Sequence, residues 1–128
     1  MNELKKILYA EDDQDIQEIG VLAMETLGGF SVKTCDSGEE VAAAAVAFKP
    51  DLVVLDIMMP GMDGVEALRT LRDIDAFKET PVIFMTAKVM KDEQEEYRQL
   101  GAKAVIIKPF DPTTLCEQIS EVWNRRGE

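Results

Sequence analysis

The chain reads as an α/β protein, a doubly wound (βα)5 sandwich around a five-stranded parallel sheet. Three features of the sequence predict this. Short β-branched apolar runs alternate with longer segments of helical spacing, and the alternation repeats five times over 128 residues. Most of the short runs are apolar at nearly every position, which suits strands covered on both faces. Polar or charged residues stand at the ends of four of these runs, where the strands of an open parallel sheet border a crevice.

The first strand is Ile7–Ala10, followed by Glu11-Asp12-Asp13. Either Asp13 or Asp15 can cap the helix that comes next, and Gly28-Gly29 marks its end. The second strand is Phe30–Thr34. Ser37-Gly38-Glu39-Glu40 has capping-box spacing and opens the second helix. The third strand, Leu52–Leu55, runs into Asp56. Proline and glycine in Met59-Pro60-Gly61-Met62-Asp63-Gly64 make turns, and Asp63-Gly64-Val65-Glu66 is a second capping box. The helix it opens turns Val65, Leu68 and Leu71 inward. Val82–Met85 is the fourth strand, ending in Thr86-Ala87, and Gly101 stops the fourth helix. The fifth strand is Ala104–Ile107, ending in Lys108-Pro109. Asp111 caps a last helix with Pro112 in its first turn and Leu115, Ile119 and Val122 as its inward stripe. These stripes are core, not cofactor contacts.

Apolar residues at 46% and charged residues at 30% give a globular balance, so residues 1–128 are expected to form one domain. With Asn124–Glu128 as the only tail after the last helix, no output domain is expected within these residues. Apolar runs are bounded by charge and far shorter than a membrane span. The N-terminus enters a strand without the long apolar core of a secretory signal, so a cytoplasmic location is expected. Cys35 and Cys116 have neither the number nor the spacing of a disulfide framework or zinc site and are expected to be buried free thiols. A net charge of −11 argues against direct nucleic-acid binding and against an anionic membrane surface. The chain has no histidine. That excludes histidine-dependent triads, imidazole zinc sites and a phosphohistidine on this chain.

The strand ends carry the chemistry. Acidic residues before a helix are ordinarily caps and dipole partners, but one cap leaves Glu11 and Asp12 unexplained, and Asp56 adds a third carboxylate at the same edge. Clustered carboxylates repel and need a cation, and an oxygen-seeking ion such as Mg²⁺ fits. A lone Lys108 or Thr86 would pass for a surface lysine and a strand-end hydroxyl. Together the pieces suit phosphoryl transfer. A metal and a lysine neutralise the transferring group, a hydroxyl and a backbone N–H hold its oxygens, and Asp56 is the nucleophile.

Glu11-Asp12-Asp13, the run Asp56-Ile57-Met58-Met59-Pro60-Gly61-Met62-Asp63-Gly64, Thr86-Ala87 and Lys108-Pro109-Phe110 together resemble the motif set of bacterial response-regulator receiver domains, across essentially the whole chain. The resemblance implies strand order 2-1-3-4-5. It implies that Asp56 accepts a phosphoryl group from a phosphohistidine on a sensor histidine kinase or histidine phosphotransfer protein. Asp12, Asp56 and the backbone carbonyl of Met58 would bind Mg²⁺, with Glu11 acting mainly through water. Thr86, Lys108 and the backbone of Ala87 would hold phosphoryl oxygens.

The resemblance also implies a switch rather than a turnover enzyme, with autodephosphorylation by water passing between Met58 and Lys88. The signal would leave through the loop Ala87–Lys91 and the surface of the fourth helix, fifth strand and fifth helix, toward a downstream protein partner or output domain. Family members form homodimers in several ways, and no charge pattern here selects one. Many receivers carry an aromatic on the fifth strand that changes rotamer on activation. Placed two residues before the lysine, that position falls on Ile106.

Three rival readings compete with this one. A phosphatase with a strand-end aspartate would want a second aspartate two residues on, where this chain has Met58. A flavin or nucleotide module would want a glycine- and hydroxyl-rich loop after the first strand, where Glu11-Asp12-Asp13 would repel a phosphate. A receiver-like binder that works without phosphorylation would not need the full acid, threonine and lysine set.

Overall fold

The computed structural model describes residues 3–87 and 90–126. Lys88, expected beside the path of the attacking water, lies outside them. The strands are β1 (Lys6–Ala10), β2 (Ser31–Cys35), β3 (Leu52–Asp56), β4 (Val82–Thr86) and β5 (Ala104–Ile107). The helices are α1 (Gln14–Leu22), α2 (Val41–Phe48), α3 (Gly64–Arg72), α4 (Lys91–Gln99) and α5 (Pro112–Asn124). All four strand pairings are parallel, in the order β2-β1-β3-β4-β5. A crossover helix must separate parallel neighbours, so the alternating pattern in the sequence and this topology are one fact seen twice.

Every residue of β3 and β4 is buried, which places them in the middle of the sandwich. Successive side chains go to opposite layers. Leu8, Val53, Leu55, Val82 and Phe84 pack with α2, α3 and Tyr97 of α4, whose ring meets Phe84 edge-on at 5.6 Å. Ile7, Tyr9, Leu52, Val54, Ile83, Met85 and Ile106 pack against Met24, Leu115, Ile119 and Trp123.

That alternation corrects one expectation. Ile106 is 3% exposed and sealed under α1 and α5, so it cannot swing toward α4. Its neighbour Val105 packs against the layer that holds Tyr97 of α4. The β5 position that can report to α4 is therefore Val105, and it too is not aromatic.

Local details differ from expectation for hydrogen-bonding reasons. Phe30 does not begin β2, because its N–H donates to the carbonyl of Met24 at 3.1 Å and closes the preceding helix. That helix ends in a π-helical stretch, Ala23–Leu27, where Gly28 N–H reaches back to Ala23 at 3.2 Å and Gly29 takes a φ of 72°. The Ser37 capping box does not form. Its hydroxyl donates to Glu40 Oε2 at 3.0 Å, Gly38–Glu40 is a 3-10 turn, and α2 starts at Val41. Asp13, Asp63 and Asp111 do cap α1, α3 and α5. On α5 the buried stripe is Leu115, Ile119 and Trp123, with Val122 half-buried, because i, i+4 and i+8 share a face. On α3, Val65 is likewise half-buried while Leu68 and Leu71 are buried. Cys35 is buried, but Cys116 is only half-buried, its thiol donating to the Ala23 carbonyl at 3.3 Å.

Gly64 shows what positions the end of β3. A Cβ there would lie 2.6 Å from the Asp56 carbonyl oxygen and 2.9 Å from Ile57 Cα, both backbone atoms that cannot step aside. Gly64→Ala is expected to destabilise the fold by about 2 kcal/mol through overpacking. In a domain of this size that lowers the melting temperature by roughly 6 to 10 °C. A thermal melt within 2 °C of wild type, a shift of roughly half a kcal/mol, would show that the loop absorbs the methyl.

Candidate functional site

Parallel strands present all their carboxyl ends to one edge, and at this edge β1, β3, β4 and β5 deliver Glu11, Asp56, Thr86 and Lys108. Glu11 and Thr86 are 0% exposed and Asp56 is 1% exposed. The Lys108 ammonium stands between two of them, 3.0 Å from Glu11 Oε1 and 3.2 Å from Asp56 Oδ2. Its backbone N–H donates to the Thr86 carbonyl at 2.8 Å, the last link between β4 and the end of β5. The peptide Lys108-Pro109 is cis.

Asp12 is exposed beside this buried pair, and carboxylate oxygens of Glu11, Asp12 and Asp56 all lie within 4.8 Å of one another. Backbone N–H groups hold the carboxylates in place. Asp13 N–H donates to Glu11 Oε2 at 3.2 Å, and Met58 N–H donates to Asp56 Oδ1 at 3.3 Å.

Three carboxylates against one ammonium leave excess negative charge in a water-poor pocket. Burial, with the hydrogen bond and charge of Asp56, pushes the Glu11 carboxyl up to about 7 against the opposing pull of Lys108. Burial works to lower the Lys108 ammonium, but contact with Glu11 and Asp56 outweighs it and holds the group above its ordinary value. The pocket is short of positive charge. Its donors are all hard oxygens converging within a few ångströms, the set that suits Mg²⁺ rather than a softer metal.

Glu11, Asp12, Asp56 and Lys108 are thus gathered into one group. Thr86 ends β4 next to the strand of Asp56, and Ala87 follows it in an exposed bend. Met58, whose backbone N–H binds Asp56, is 65% exposed.

Two residues escaped the reading of the sequence. Glu39, given no role of its own there, accepts the Met62 N–H at 2.6 Å and ties the start of the second helix to the loop after Asp56. Gln17 is buried, and its amide donates to the Glu11 carbonyl at 2.9 Å. It shares the inward face of the first helical segment with Gly20 and Met24, and a polar residue on that stripe is the signal that would have found it. A groove of about 1060 Å³ lies at the opposite end of the sheet. It mixes Asp51, Arg72, Glu79 and Arg126 and has no convergent set of donors.

Comparison with known proteins identifies the family. Residues 7–120 match the response regulator receiver domain. The chain is 33% identical to the phosphate regulon transcriptional regulatory protein PhoB of Pseudomonas aeruginosa over 96% of its own length and 53% of that protein's. It is also 33% identical to the alkaline phosphatase synthesis transcriptional regulatory protein PhoP of Bacillus subtilis, over 94% of its length and 49% of the relative's. The chain therefore spans about half the length of these curated relatives. Among solved structures it superposes on the chemotaxis response regulator CheY4 of Vibrio cholerae with a TM-score of 0.87 at 28% identity, covering 94% of this chain and 99% of that one. A CheY-like receiver domain protein from Methanospirillum hungatei gives 0.84 at 26% identity, with 98% of each chain covered.

Proposed function

Because the chain belongs to the response regulator receiver family of two-component signalling, we propose that Asp56 accepts a phosphoryl group from a phosphohistidine on a sensor kinase or phosphotransfer protein. The observation that carries this reading is Lys108, whose ammonium lies 3.0 and 3.2 Å from the carboxylates of Glu11 and the buried Asp56. A cation held there meets the charge that develops on a group transferring to Asp56.

In the proposed reaction an Asp56 carboxylate oxygen forms the new P–O bond as the P–N bond of the donor imidazole breaks. The departing nitrogen keeps the electron pair and takes a proton. Asp12, Asp56 and the Met58 carbonyl would hold Mg²⁺, with Glu11 acting mainly through water. Bound there, the ion supplies charge neutralisation for the phosphoryl oxygens. The Thr86 hydroxyl and the Ala87 N–H would donate to those oxygens, and Lys108 would pair with a third. Thr86 moving toward the phosphate would draw the loop after β4 with it and alter the α4–β5–α5 surface. Val105 is the β5 residue placed to feel that change. The reader of that surface would be a downstream protein or an output domain. The reading places the chain in the cytoplasm, as a switch that resets by hydrolysis, and among the described residues no helix is long and apolar enough to cross a membrane.

Incubation with acetyl phosphate and Mg²⁺ followed by intact-mass measurement tests the reading. The wild-type chain should gain the mass of one phosphoryl group, and none when EDTA replaces Mg²⁺. Labelling that ignores EDTA would remove the metal from the mechanism, and no labelling at all would remove the phosphoacceptor.

The exposed Met58 side chain adds an expectation about lifetime. Two residues after Asp56, its apolar bulk would hinder water approaching the acyl phosphate. Met58→Asn should therefore shorten the phosphate half-life about 5-fold, equivalent to roughly 1 kcal/mol off the hydrolysis barrier. A half-life equal to or longer than wild type would eliminate shielding by Met58.

A further inference from the structure

We infer that Gln17 positions the acidic pair that follows β1, Glu11 and Asp12, for the metal by clamping the peptide that joins them. The inference rests on the Mg²⁺ reading above and assigns a residue to it. The Gln17 side chain is 8% exposed, and its amide nitrogen donates to the Glu11 carbonyl at 2.9 Å and to Asp36 Oδ1 at 2.9 Å, with the Cys35 carbonyl farther off at 3.4 Å. An amide nitrogen has two protons. Both are used by the two short contacts.

The Glu11 carbonyl and the Asp12 nitrogen belong to one rigid peptide plane. Holding its oxygen sets the orientation of the backbone from which Asp12 projects. On its other side, Glu11 N–H donates to the Cys35 carbonyl at 3.0 Å. Both peptide planes flanking Glu11 are therefore tied, one to the end of β2 and one to α1. Glu11 and Asp12 are consecutive and must place carboxylates within 4.8 Å of each other and of Asp56, which an untethered strand end would not sustain against their repulsion.

The clamp is itself anchored. Asp36 accepts from Gln17 and from Gln14 Nε2 at 3.1 Å, and these two amides hold its carboxyl below the ordinary value. An apolar residue at position 17 would fill the stripe beside Gly20 and Met24 without the cost of burying an amide. The amide is there for its protons. Partners that orient metal ligands in this way usually change metal affinity 10- to 100-fold when removed, by order of magnitude.

Mg²⁺ and Ca²⁺ titrations by calorimetry on wild type and Gln17→Met, with melts in EDTA, test the clamp. Gln17→Met keeps length and apolar volume and loses both protons. The Mg²⁺ dissociation constant should rise about 10-fold. The Ca²⁺ constant should rise less, because Ca²⁺ accepts looser geometry than Mg²⁺. Equal losses for both ions, or an Mg²⁺ constant equal to wild type, would overturn the clamp while leaving the metal reading standing. Wild type that binds no Mg²⁺ would overturn both. If Gln17→Met does not fold, Asp36→Ala removes the anchor from an exposed position. It should weaken Mg²⁺ about 2- to 3-fold, on the order of half a kcal/mol, and no change there overturns the clamp.

Discussion

Asp56→Asn is expected to gain no phosphoryl group from acetyl phosphate, to melt higher than wild type in EDTA, and to lose most of its response to Mg²⁺. The three results share one cause. Asp56 is 1% exposed, shares the pocket with Glu11 and Asp12, and is part of why the Glu11 carboxyl is pushed up to about 7. The amide keeps the shape but removes the nucleophile, a negative charge and a ligand at once. With a Mg²⁺ dissociation constant on the order of 1 mM, about 10 mM free ion stabilises wild type by roughly 1.4 kcal/mol through mass action. That is a rise of about 4 to 8 °C. In Asp56→Asn the rise should fall below about 2 °C, while relief of repulsion stabilises the EDTA form by roughly 1 kcal/mol, or about 3 to 6 °C. Ionic strength must be matched, so that general screening does not imitate binding. Labelling of the variant at another residue would overturn the assignment of the phosphoacceptor. A full Mg²⁺ shift in the variant would overturn the assignment of the metal site.

Lys108→Ala should produce the opposite pattern in the metal-free state. Its ammonium is a counter-charge for two buried carboxylates at 3.0 and 3.2 Å, and its side chain is only 15% exposed. Removing one partner of a buried ion pair commonly costs 3–5 kcal/mol. Here Glu11 can limit the damage by taking up a proton, so a loss of about 2 to 3 kcal/mol is expected in EDTA, or roughly 8 to 15 °C. Mg²⁺ should restore more stability to the variant than it adds to wild type, because a divalent cation replaces the missing charge. The variant should still accept phosphate in Mg²⁺, with the amide shifts that phosphorylation causes in α4 and β5 largely absent. An EDTA melt equal to wild type would deny Lys108 its role as counter-charge. An unchanged shift pattern on phosphorylation would deny its contact with the phosphoryl group.

The motifs of the site were legible because they sit at fixed places in local patterns. Glu11-Asp12-Asp13, Asp56, Thr86-Ala87 and Lys108-Pro109 each follow an apolar run, and a parallel sheet brings such ends together whatever the intervening helices contain. The strand spans were legible to within a residue or two for the same reason. The misreadings all concern where a polar group sends its hydrogen bond or to which face a side chain turns. Phe30 closes a helix instead of opening a strand, and the Ser37 hydroxyl finds Glu40 rather than a helix N–H.

By itself, then, the sequence determined the alternation of strands and helices, the edge where the chemistry gathers and the residue types found there. Those follow from hydrophobic period and from short-range turn and cap preferences, which act over a few neighbours. Only the tertiary structure decided that Val105 rather than Ile106 borders α4, that Glu39 holds the loop after Asp56, and that Gln17 holds the peptide between Glu11 and Asp12. A face is set by strand register, and a hydrogen bond between residues 39 and 62 or 17 and 36 exists only once separate segments are packed together. Neither leaves a period in the chain.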